Sequence, residues 1–97
     1  MNFKVFTNWL FTTKSLINAK LLSYMIIEAD EEHKIDFSTS KRKQLALRLQ
    51  IDDTGLSRAL RQLLDAGIIK RACFKDSDGN LYQDKSVYII HPSLFSD

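Results

Sequence analysis

The sequence predicts an α+β domain in which three core helices are followed by a two-stranded hairpin, and three features carry that expectation. First, residues 52–67 make a sharply two-sided helix. At about 100° per residue, Leu56, Ala59, Leu60, Leu63 and Leu64 fall on one side, and Thr54, Ser57, Arg58, Arg61 and Gln62 on the other. Second, only residues 50–52 separate it from another helical segment, a spacing that implies a sharp helix-turn-helix. Third, two strand-like runs, 68–75 and 81–90, flank Asp76-Ser77-Asp78-Gly79-Asn80, which is dense in turn formers.

Each element has its own local signal. Residues 1–13 hold Phe3, Phe6, Trp9 and Phe11 without a clean period. A short strand followed by a turn of helix is one reading, and an arm lying on the core or on a second subunit would cover the aromatics. From Lys14 or Ser15 to about Ala29 runs the first long helix, apolar on nearly every side. Ala19, Leu22, Met25, Ile26 and Ala29 are its expected core stripe, and Ile17, Leu21 and Tyr24 are left for the arm or a dimer contact. Lys34-Ile35-Asp36-Phe37 alternates like a half-buried strand. Ser38, Thr39 or Ser40 caps the next helix, which ends at Leu49 with Leu45, Ala46 and Leu49 inward. Asp52 or Asp53 caps the helix after it, and Gly67 ends it in the left-handed conformation. Gly55 in its first turn is by default a tolerated glycine, the other reading being close approach of its own backbone to a bound partner. Beyond the hairpin, Pro92 cannot donate to a ladder, so pairing stops near His91 and Ser93-Leu94-Phe95 docks back as a tail.

Length and composition bound the rest. A chain of 97 residues is one domain, 1–97, with an arm over 1–13, a helical core over 14–71 and a hairpin over 68–90. One cysteine, Cys73, and two distant histidines, His33 and His91, give no disulfide, no metal and no cofactor site. Cys73 lies inside a strand, where a half-buried, inert thiol is expected. No secretory signal opens the chain, and Asn18, Lys20 and Ser23 break its longest apolar stretch, so no membrane span and a cytoplasmic location are expected. With no catalytic constellation and no Gly-rich phosphate loop, an enzyme is not expected.

Charge points to a partner. Residues 38–75 carry nine basic against three acidic side chains, whereas 1–37 sum to −1 and 76–97 to −3. A basic block between acidic flanks suits presentation of one face to a polyanion. On the two-sided helix, the guanidinium forks of Arg58 and Arg61 with Thr54, Ser57 and Gln62 match base edges in a major groove. Lys41, Arg42 and Lys43 sit in a helix's first turn, where cations oppose the dipole by about 0.3 to 1 kcal/mol each. That is understandable if Ser38, Thr39, Ser40 and these cations hold a phosphate. Lys70 and Arg71 are further phosphate candidates.

The element order resembles the winged helix-turn-helix, which makes the hairpin a β-wing with Lys75, Asn80 and Lys85 as its DNA-contact candidates. More specifically, Ile35-Asp36-Phe37-Ser38, Leu45-Ala46, Leu49-Gln50-Ile51, Leu56-Ser57-Arg58-Ala59-Leu60, Leu63, Ala66-Gly67-Ile68-Ile69-Lys70-Arg71 and the ending Val87-Tyr88-Ile89-Ile90-His91-Pro92-Ser93-Leu94-Phe95 resemble plasmid replication proteins of the RepL type. The helix-turn-helix part is also similar to MarR-like bacterial regulators. His91 stands where the RepL type usually has Asn. These resemblances imply a sequence-specific binder of double-stranded DNA, of plasmid or phage type, acting in replication control or as a transcriptional regulator such as a repressor. A homodimer is the natural form, since one recognition helix reads a half-site; Phe3, Phe6, Trp9, Ile17, Leu21 and Tyr24 are the dimer-contact candidates. The competing expectation is a winged-helix module that binds protein and no DNA, favoured by the acidic wing tip and the two-faced first helix.

Overall fold

The computed structural model describes residues 2–13 and 15–95. Lys14, one of the two expected starts of the first long helix, lies outside them. The order is α1 (Phe3–Thr12), α2 (Leu16–Glu28), β1 (Lys34–Asp36), α3 (Thr39–Leu49), α4 (Asp53–Asp65), β2 (Ile69–Lys75), β3 (Leu81–Ile90) and a 3-10 turn (Pro92–Leu94).

The N-terminal arm is a helix, with no strand among its described residues. Asn2 caps it, its Oδ1 accepting from the Val5 N–H at 3.1 Å. Val5, Phe6 and Trp9 pack against the core of their own chain, while Phe3 and Phe11 face outward at 73% and 86% exposure. Apolar residues on both sides of α1 explain why its sequence has no clean period. The arm is anchored at the other terminus: the Asn2 N–H donates to the Leu94 carbonyl at 2.6 Å. Leu94 itself is buried, a side chain whose burial contributes about 1.5–3 kcal/mol.

Ser15 caps α2, and its buried stripe is Asn18, Leu21, Leu22 and Met25. The stripe is turned from the expected one: Ala19, Ile26 and Ala29 are only half-buried. Leu21, a dimer-contact candidate, is fully buried, so it meets no second chain.

Ser38 caps α3 by accepting from the Lys41 N–H, and Asp52 caps α4 by accepting from the Gly55 N–H at 2.7 Å. A Cβ on Gly55 would meet Asp52 Oδ1 at 3.2 Å and Ile51 Cβ at 3.3 Å. The glycine therefore serves the cap within the chain, by letting the carboxylate close on the helix end. Between the helices Gln50 takes the left-handed conformation (φ 57°), which turns the chain within residues 50–52. Gly67 (φ 73°) ends α4, with the Ile68 N–H donating to the Leu63 carbonyl at 3.1 Å in a Schellman-type closure.

The three strands are antiparallel in the order β1-β3-β2, with Ile35, Tyr88 and Arg71 aligned across the sheet. Between Arg71 and Cys73 the partner jumps from Tyr88 to Gln83, so β3 carries extra residues in a bulge around Asp84 and Lys85. Cys73 is exposed, contrary to the half-buried thiol expected. The core closes on Phe37, whose ring lies 6.3 Å from that of Tyr24 and 5.9 Å, edge-on, from that of Tyr88. A helix-turn-helix backed by a β-hairpin and a third short strand is a winged helix, with α1 as a fourth helix.

Candidate nucleic-acid interface

Between α4 and the hairpin lies an open groove of about 540 Å³. Its first wall is the outer face of α4. The buried stripe Leu56, Ala59, Leu60 and Leu63 holds that helix against the core, which turns Thr54, Ser57, Arg58 and Arg61 into the groove. The second wall is the base of the wing, where Arg71, Lys85 and Tyr88 line it. Arg42 enters from α3. Five cations thus converge, and no carboxylate lines the groove among the described residues.

Two arginines are held in place. Arg71 Nη1 donates to the Lys85 carbonyl at 2.9 Å, and its guanidinium lies 5.5 Å from the centre of the Tyr88 ring, a cation–π arrangement. The β3 bulge presents that carbonyl, and the register places Tyr88 beside Arg71. Arg42 spans the helix-turn-helix: its Nε and Nη2 reach Asp53 Oδ1 at 3.2 and 3.1 Å, and Nη2 also donates to Ser57 Oγ at 2.8 Å. Its charge is balanced within the chain, so it braces α3 against α4 at the edge of the groove. Arg58 forms no ion pair among the described residues, whereas Arg61 reaches Asp65 at 3.5 Å with both side chains largely exposed, a pairing of little energetic weight.

The structure gathers Thr54, Ser57, Arg58, Arg61, Arg42, Arg71 and Lys85 of the expected residues and separates the others. Gln62 leaves the reading face: its Oε1 accepts from Asn18 Nδ2 at 2.6 Å, tying α4 to α2. It sits at the edge of the polar arc, close enough to the core side for the buried Asn18 to capture it. Lys70 lies on the opposite side of the sheet from Arg71, because strand neighbours alternate, and it borders a hollow with His91 and Pro92. Ser38 uses its hydroxyl as a cap, while Thr39, Ser40, Lys41 and Lys43 are exposed along the start of α3, outside the groove.

Lys75 and Asn80 lie near the wing tip, also outside the groove lining. The acidic character of that tip has a structural cause. Asp76 Oδ1 accepts the N–H groups of Asp78 and Asn80, both at 2.9 Å, and so builds the turn around Gly79 (φ 83°). Asp84 accepts the Ser86 N–H at 2.9 Å and the Ser86 hydroxyl at 2.7 Å, which holds its carboxyl below the usual carboxylate range. Sequence reasoning missed Tyr88 as a support for Arg71. The signal was present in the β-strand alternation, but pairing Arg71 with Tyr88 required the register.

No protein-family model and no curated protein matches the chain. A solved structure of a possible transcriptional regulator from Methanosarcina mazei Go1 is similar to it, with a TM-score of 0.51 and 15% identity, covering 94% of this chain and 67% of that one. At that identity the likeness is one of fold. No helix among the described residues is long and apolar enough to cross a membrane.

Proposed function

We propose that this protein is a sequence-specific binder of double-stranded DNA that regulates transcription from the site it binds, and that it has no catalytic activity. One observation carries the reading: five cations and the hydroxyls of Thr54 and Ser57, free of lining carboxylates, meet in a groove between a capped helix and a wing. Arg58, Arg61, Thr54 and Ser57 are positioned to read base edges, with Arg71 and Lys85 on the adjacent phosphates and Lys41 and Lys43 on phosphates beyond the groove. The protein acts as a homodimer, each copy reading one half-site. The structural neighbour from Methanosarcina mazei Go1, itself a possible transcriptional regulator, is compatible with this role. Control of plasmid or phage replication is the second reading, favoured by the RepL-like ending over residues 87–95.

The test is selection of binding sites from random duplex DNA at two salt concentrations. The expected result is an enriched palindrome whose binding weakens steeply with salt, by about 0.9 log units per log unit of salt for each phosphate neutralised. A selected site beside a promoter supports transcriptional control, and one inside an origin supports replication control. Enrichment of no motif, with weak binding insensitive to salt, would replace the DNA reading with that of a protein-interaction module.

A further inference from the structure

A second groove, of about 630 Å³, lies between α1, α2 and the end of α3, and shares no lining residue with the DNA groove. Its surface is apolar, from Phe6, Leu10, Tyr24, Ile27, Leu45 and Leu49. Ile27 is 78% exposed, a large aliphatic side chain in water at the rim of an apolar trough. Three exposed charges border the same trough, none in an ion pair among the described residues: Arg48 from α3 and, of opposite sign on α2, Lys20 and Glu28. Lys20 and Glu28 stand four residues before and four after Tyr24, the spacing that keeps these three on one helix face.

That symmetry identifies the occupant. We infer that a second copy of this chain fills the groove, its α2 antiparallel to this one about a two-fold axis passing by Tyr24. An isologous contact brings residues placed symmetrically about the axis together. Lys20 therefore meets the partner's Glu28, and Glu28 meets the partner's Lys20, so one helix supplies both halves of two ion pairs. Ala19 and Ser23 are small and leave room for the partner's Ile27. The Ser23 hydroxyl already donates to the Ala19 carbonyl at 2.8 Å, so it carries no donor that burial would leave unmatched. Tyr24 is held at the axis by stacking on Phe37. The inference rests on the dimeric DNA reading and deepens it by naming its interface.

Sedimentation equilibrium of the full chain without DNA tests it, beside fluorescence titration of a single half-site. The parent should pass from its 11.2 kDa monomer mass to twice that as concentration rises. Lys20→Glu and Glu28→Lys should each weaken the dimer about tenfold, because two attractions become two repulsions. An equimolar mixture of the two variants should dimerise at least as tightly as the parent, since every substituted charge then faces its opposite, and this recovery also establishes that both variants are folded. Ile27→Asp should leave only monomer. A parent that stays monomeric at every concentration, single variants that dimerise like the parent, or a mixture that recovers nothing would each overturn the interface. A dimer of the stated behaviour that selects no DNA would overturn the DNA reading alone, and half-site binding by a monomeric parent would overturn the interface alone.

Discussion

The two grooves are similar in volume, about 540 and 630 Å³, and differ in almost everything else. The groove beside the wing is walled by arginines whose positions are set from below, Arg71 by Tyr88 and the Lys85 carbonyl, Arg42 by Asp53 and Ser57. The groove beside α2 is walled by aliphatic and aromatic side chains, with its charges at the rim. Size therefore says little about what a hollow on this protein takes, and the chemistry of the lining says much. A cationic lining suits a polyanion, and an apolar floor with opposite charges at fixed spacing suits a matching helix.

The comparison can be broken entirely by removing what both grooves share. Phe37 lies between Tyr24, beside one groove, and Tyr88, beside the other. Phe37→Ala should cost about 3–5 kcal/mol of stability, read by urea denaturation, and should abolish both activities together. The next largest effect separates them. Arg58→Ala should lose about 1–3 kcal/mol of DNA affinity and relax sequence preference, while the sedimentation behaviour stays that of the parent. An Arg58→Ala protein that still discriminates sites as well as the parent would remove Arg58 from base reading.

Gln62→Ala sharpens the boundary of the reading face. It should cost about 0.5–1.5 kcal/mol of stability through the lost bond to Asn18, with sequence preference unchanged in the binding-site selection. Lys41→Ala should weaken all sequences alike and reduce the salt slope by about one. The smallest effect concerns pH. Asp84 has a depressed carboxyl pKa because the Ser86 N–H and then the Ser86 hydroxyl donate to it. Its contribution to the wing is therefore present above the ordinary carboxyl value of 3.8 and fades as pH falls through the lower folded value. The Ser86 amide chemical shift, followed by NMR, should titrate with its midpoint below pH 3.8, and Asp84→Asn should remove that movement.

Much of the fold was legible because its signals are local. The caps Ser15, Ser38 and Asp52, the stop at Gly67 and the strand limits at Leu81 and Ile90 all rest on residues within a few positions of one another. What escaped depended on distance along the chain. The 44-residue separation of Asn18 and Gln62 hid the bond that withdraws Gln62 from the reading face. Helical periodicity left the rotation of α2 ambiguous, since its apolar residues nearly encircle it, and so Leu21 was assigned outward although it is core. Alternation along β2 was enough to part Lys70 from Arg71, but the charge count grouped them. The α1 aromatics were unreadable by period because the helix is apolar toward both its own chain and solvent.

Asn18 is the single buried polar residue among the described residues, and its bond to Gln62 does more than satisfy it. Aliphatic contacts let a helix roll by some degrees about its own axis, since one methyl replaces another at small cost. A directional bond of 2.6 Å between two amides tolerates no such roll. It therefore adds a directional restraint to the angular phase that Leu56, Ala59, Leu60 and Leu63 already give α4, and a roll of one residue, about 100°, would carry Arg58 and Arg61 out of the groove while leaving the helix intact. The face that α4 turns to the groove is thus held from the far side of the helix that bears it.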